Sequence, residues 1–240
     1  MKHAPNRRLS LEFLGEWHAV GEAKNRGNHA QRVASAMAAR PPYFDQFIEA
    51  MRYLQAFEPD VRPDFAALKQ ALLRFQSPAN AQTYQHLLHQ VLLPLSTTFL
   101  EHSPFKIANA CHSVSHAFRE TFRRLPEFGP LFELAITVGN VYYRGENIYQ
   151  ASRDSIGDLI RTGPRDGEDL PVHVWLTLGD MTVLDLTILA SLRQQGRDDG
   201  GQDGILVWKA SDPGDFLFEP LLLDNLFATR VDNITMVYAD

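Results

Sequence analysis

The chain contains one cysteine, Cys111, in 240 residues. A single thiol excludes an intramolecular disulfide and any metal site built from several cysteines. It fits a reducing compartment, so a cytoplasmic location is expected, with export through a specialised secretion system left open. No stretch approaches the roughly 18 consecutive apolar residues of a membrane-crossing helix, so no membrane span is expected. The opening MKHAPNRRLSLEFLGEWHAV carries basic residues, yet Glu12, Glu16, Trp17 and His18 interrupt the apolar run that a signal peptide requires. Positive charge is also in short supply. The formal net charge is -6 and the Lys and Arg residues are scattered, which argues against a phosphate-tracking groove and sets nucleic acid aside as a partner. Internal repeats and low-complexity tracts are missing as well. What remains is an ordinary globular composition, 45% hydrophobic and 22% charged, sufficient for a sizeable core in one large or two small domains.

The first hundred residues carry helical patterns. Ser10 is placed to cap a helix with Leu11, Leu14 and Trp17 at helical spacing, and Leu9 to staple it. Gly27 interrupts, and a further helical run ends at Pro41-Pro42. Tyr43 to Phe57, Phe65 to Phe75 and Ala79 to Leu93 follow as amphipathic helices. After Pro104 the pattern changes. A small-residue helix from about Ala108 to Arg124 leads to a buried strand within Leu131 to Tyr143. A polar stretch, Arg144 to Pro171, reads as an insertion or lid around one amphipathic piece, Ser155 to Ile160. Val172 to Leu178 and Thr182 to Thr187 form a hairpin across Gly179-Asp180-Met181. Ile205 to Lys209 and Ile234 to Tyr238 read as further strands, with an acidic loop, Asp198 to Asp203, before the first of them. The predicted fold is α+β, a helical region at 1–100 and a core at 101–240 in which a central helix packs on an antiparallel sheet.

A thiol attacks as thiolate, and its pKa falls at a helix N-terminus beside an imidazole. With Asn109 as N-cap, Cys111 lies in the first turn, where free backbone N–H groups favour negative charge and can later stabilise an oxyanion. Cys111, Ser115, Phe118 and Phe122 share one helix face. On the first hairpin strand His173, Trp175 and Thr177 share a face. A three-residue loop sets residue 175 opposite residue 185, so Asp185 lies diagonal to His173 on that face, within reach of its ring.

His173-Val174-Trp175 followed by Asp185-Leu186-Thr187, with a cysteine opening a helix upstream, resembles the H-x-W and D-x-T pair of transglutaminase-like domains of the papain-like superfamily. The resemblance spans about Asn109 to Thr187. It implies Cys111 as nucleophile, His173 as general base and acid, and Asp185 as the orienting carboxylate. It implies a thioester intermediate and attack on a carboxamide or peptide carbonyl of a protein or peptide substrate, with no cofactor and no metal. Leu186 stands where members often carry proline, and Phe105 where papain relatives place an oxyanion-stabilising glutamine. Asn109 and His102 are the substitutes for that donor, and Trp175 is a candidate wall for substrate.

Two other classes compete. One is a catalytically inactive binding module on the same fold, such as an adaptor, inhibitor or immunity-type protein. The other is a metalloprotein using His112, His116 and Glu120, which have helical ligand spacing. Ser113 stands where the H-E-x-x-H signature needs glutamate, so His112 and His116, like His86 and His89, read as helix-surface residues. Oligomeric state leaves no trace in the sequence.

Overall fold

The hairpin expected around residue 180 organises the sheet. The computed structural model describes residues 40–60, 62–104, 106–129, 132–164, 170–197, 204–210 and 214–232. The helix expected after Ser10, the run following Gly27, Phe105, the acidic loop and the strand Ile234 to Tyr238 lie outside them. Strands β3 (His173–Leu178) and β4 (Thr182–Asp185) pair antiparallel with Leu176 opposite Leu184 and Thr177 opposite Val183. Met181 closes the loop in left-handed backbone at φ 66, its N–H donating to Leu178 O. This three-residue connection keeps odd-numbered positions 173, 175 and 185 on one face.

The remaining strands extend this pair into an antiparallel sheet, giving an α+β chain. β1 (Leu134–Tyr143) joins the free edge of β3, with Gly139 opposite His173, and β5 (Leu206–Lys209) joins β4. β2 (Glu146–Asn147) returns on β1 through Arg144 and Gly145, both left-handed as a two-residue hairpin turn demands. β6 (Phe216–Leu223), which sequence reading missed, lies along the other edge of β1 and steps across a bulge between Val138 and Gly139. A Cβ at Gly139 would stand 2.0 Å from the Glu219 carbonyl oxygen. Backbone cannot yield there as a flexible side chain would, so Gly139→Ala is expected to cost about 1–3 kcal/mol in urea unfolding, the range of an overpacked core.

Helices cover both faces. α1 (Tyr43–Tyr53) lies on the face of Trp175, where Tyr43, Phe47 and Ala50 join Val183, Ile188 and Phe218. α2 (Phe65–Phe75) starts at Asp64, whose carboxylate caps Ala66 and Ala67. α3 (Pro78–Leu87) runs through one wide π-helical segment, Leu88–Leu92, into α4 (Leu93–His102). The helix expected to stop at Leu93 therefore continues; the wider turn accommodates Pro94, which cannot donate a backbone hydrogen bond. α5 (Cys111–Arg123) lies on the opposite sheet face, with Val114, Phe118 and Phe122 fully buried among Val174, Leu176 and Leu178. Helices before residue 102 thus share both apolar clusters with the sheet.

The stretch read as an insertion or lid is corrected in part. α6 (Arg153–Thr162) begins in a reciprocal Ser152/Ser155 capping box and buries Ile156 and Leu159 in the main cluster, so this portion is anchored. α7 (Ile188–Gln194) follows β4, and α8 (Phe227–Asp232) packs beside α5.

Candidate active site

The start of α5 is set by a turn, not by a side-chain cap. Asn109 has φ 62, a left-handed conformation asparagine enters more readily than most residues. Its N–H donates to Ser191 Oγ at 3.2 Å, tying the turn to α7. Ala110 is the N-cap and offers no side-chain acceptor. The expected capping role of Asn109 is therefore corrected by one residue, while Cys111 stays in the first turn, as expected, and is its first residue. Backbone N–H groups of that first turn have no intrahelical acceptor and carry the positive end of the helix dipole.

Small side chains let α5 sit directly on β3. Cys111 Sγ lies 3.9 Å from Val172 O and Ser115 Oγ donates to Val174 O at 3.3 Å. Four residues of helix rise about 6 Å and two residues of strand about 6.7 Å, so the two elements keep step over this contact. His173, the first residue of β3, leaves the strand on the other face, where its ring stacks on Trp175.

His173 Nε2 is 2.6 Å from Asp185 Oδ2, and both side chains are wholly buried. The other carboxylate oxygen, Oδ1, accepts from the N–H and hydroxyl of Thr187 and the N–H of Ile188, at 2.9, 3.2 and 3.0 Å. The start of α7 thus fixes the acid, and the acid fixes the ring. Tyr149 stacks on the imidazole at 4.9 Å and Trp175 at 6.1 Å. Tyr149 is held there because Asn147 Oδ1 accepts from its N–H while Asn140 binds both polar backbone groups of Ala151. Trp175 has no exposure and donates Nε1–H to Tyr43 OH at 3.0 Å. Its expected role as a substrate wall is corrected: it backs the histidine from inside the core.

Burial pushes the Cys111 thiol up, but the imidazoles of His112 and His173 outweigh it and bring the pKa down to about 6. Burial pushes His173 down, but Asp185 and then Cys111 raise it to about 10. Both shifts favour the proton on nitrogen, as a thiolate with an imidazolium. His173 Nδ1 is buried without a hydrogen-bond partner and is the nitrogen left for sulfur once Nε2 is engaged.

Cys111 is 4% exposed, and access runs through a cavity of about 240 Å³ lined by Asn109, Ile148, Tyr149, Leu170, Val172 and Gln195. Asn109, Tyr149 and Gln195 carry its neutral polar side chains, two carboxamides and a phenol. His102 instead bonds Thr98 O on the exposed side of α4. A wider depression of about 520 Å³ along α3, lined by Gln82, His86 and Gln90, has only exposed lining side chains and lies away from the thiol.

His112, expected on the helix surface, is mostly buried, with Nε2 3.1 Å from Asp232 Oδ2. His116 is buried too, and neither of its ring nitrogens has a partner. Among the described residues no three His, Cys, Asp or Glu side chains converge as metal ligands, nor is any helix long and apolar enough to cross a membrane. Sequence reasoning missed Asp232, Tyr149 and Gln195. No local pattern signals Asp232, which meets His112 across 120 positions. No protein-family model, curated protein or solved structure matches this chain.

Proposed function

We propose that the chain is a cysteine-dependent acyl-transfer enzyme of transglutaminase-like type, which hydrolyses an amide of a protein or peptide. The observation that carries this reading is the wholly buried His173–Asp185 pair, whose remaining ring nitrogen has no partner, beside a depressed thiol that opens onto a cavity. The Cys111 thiolate attacks the amide carbonyl carbon and forms the C–S bond. Negative charge on oxygen is received by N–H groups of the first turn of α5, with the Gln195 or Asn109 carboxamide as second donor. The C–N bond then breaks as His173 gives its proton to the leaving nitrogen. Water, deprotonated by the now neutral His173, attacks the thioester; the C–S bond breaks and the thiolate–imidazolium pair returns. Peptide bond cleavage and glutamine deamidation share this chemistry.

The test is acyl-enzyme formation. Mixing the full chain with p-nitrophenyl acetate should release a burst of nitrophenol equal to the enzyme, with the acetyl group on Cys111 by mass spectrometry. The burst should vanish in Cys111→Ala and slow by about 10²–10⁴ in His173→Gln. Ammonia or amine release from a panel of glutamine-containing and plain peptides then identifies the amide. A thiol that acylates only after unfolding would leave a binding module in place of the enzyme.

A further inference from the structure

A second imidazole repeats the arrangement of the first. His112 stands next to Cys111 in the first turn of α5, and its Nε2 lies 3.1 Å from Asp232 Oδ2 on α8 and 3.1 Å from Ser113 Oγ. His112 Nδ1, like His173 Nδ1, is buried with no hydrogen-bond partner. Each histidine therefore commits Nε2 to a carboxylate and leaves Nδ1 inside, and His112 does so one residue along the helix from the thiol. We propose that His112, held by Asp232, is a second imidazole partner of the Cys111 sulfur, so that two histidine–carboxylate pairs share one nucleophile. This rests on the reading of Cys111 as the nucleophile.

The physical reason is satisfaction of buried donors. An orphaned buried nitrogen is destabilising, and a sulfur anion accepts more than one hydrogen bond, so a thiolate satisfies both Nδ1–H groups together. The proton of the thiol supplies one imidazolium and solvent supplies the other. Two imidazolium charges then face the thiolate, Asp185 and Asp232, leaving a single negative charge in the cluster. The ionisable groups around His112 are Cys111 and, one turn on, His116 on its own helix; Asp232 on α8; and, beyond the sulfur, His173 on β3 and Asp185 on β4. Arg230 of α8 is taken by Asp224 and Glu58. The contact with Cys111 and the charge of Asp232 together raise His112 in spite of its burial.

The consequence is redundancy: loss of either histidine leaves the sulfur one imidazole. Iodoacetamide alkylation of the full chain should be followed against pH in wild type, His112→Gln, His173→Gln, the double variant and Asp232→Asn, with the thermal midpoint of each. Wild type should titrate near 6. Each single glutamine variant should shift upward by about one unit, about a tenfold loss of alkylation rate on the acid side, and the double variant should reach the free-cysteine value of about 8.5. Asp232→Asn should follow His112→Gln. A folded His112→Gln protein with the wild-type profile overturns the second partner and leaves the proposed enzyme standing, whereas an ordinary titration in wild type removes the enzyme reading and this inference with it. Should His112→Gln fail to fold, Asp232→Asn decides: a shift supports the pair and an unchanged profile refutes it.

Discussion

Asp185→Asn is expected to slow acylation of Cys111 by about 10³–10⁴ while leaving the fold intact. The reason lies in what surrounds the side chain. Oδ1 accepts three hydrogen bonds from Thr187 and Ile188, so the carboxamide oxygen of an asparagine must stay on that side and its NH₂ must face His173 Nε2. Two donors cannot share that short contact, and the ring responds by carrying its proton on Nδ1. The nitrogen that faces sulfur then has no lone pair to take the thiol proton, and no carboxylate remains to stabilise an imidazolium. Rotating the amide would relieve this clash by creating two others, with the backbone N–H groups of Thr187 and Ile188 at the start of α7. Pre-steady-state nitrophenol release measures the rate, and circular dichroism with the unfolding midpoint confirms the fold. A rate within tenfold of wild type would mean that Asp185 serves α7 alone.

The geometry of this dyad was legible because it depends on local rules. A three-residue loop and strict alternation dictated the register of β3 and β4, and the observed pairs, Leu176 with Leu184 and Thr177 with Val183, follow it. The apolar stripe of α5 was legible for the same reason: Phe118 and Phe122 recur at helical spacing behind Cys111, and both are fully buried. Other features depend on partners distant in the chain. β6 contains Pro220, which argues against a strand until its place at an edge, opposite the Gly139 bulge, is known. α8 is only six residues long, too short for a periodic signal. Its Asp232 reaches His112 across 120 positions, and nothing local marks either residue for the other. Trp175 was placed on the correct face, yet only the position of α1 reveals that Tyr43 seals it from any substrate.

Truncation of the same acid tests the charge state that the proposed chemistry requires. Asp185→Ala removes the partner of a buried imidazolium and the acceptor at the start of α7, and at pH 7 it is expected to cost about 3–5 kcal/mol in urea unfolding. The pH dependence of that loss separates the two contributions. A histidine raised above its unfolded value stabilises fully below about 6.5, and that contribution fades as pH rises through its folded value, here about 10. The thiol acts in the opposite sense. Its folded pKa, about 6, lies below the unfolded value, so its contribution is complete only above about 8.5. At about pH 6.5 the native wild type holds one proton on His173 and the native variant holds one on sulfur. The variant's thiol, which keeps His112 beside it, loses that proton from about pH 7 while wild type retains the imidazolium, so the difference shrinks by about 1.4 kcal/mol per pH unit between about pH 7 and pH 10. The backbone bonds to Oδ1 do not titrate over this range and set the residual difference. A stability gap that stays level through pH 10 would assign Asp185 to capping and leave His173 neutral, with no ion pair to arm the thiol.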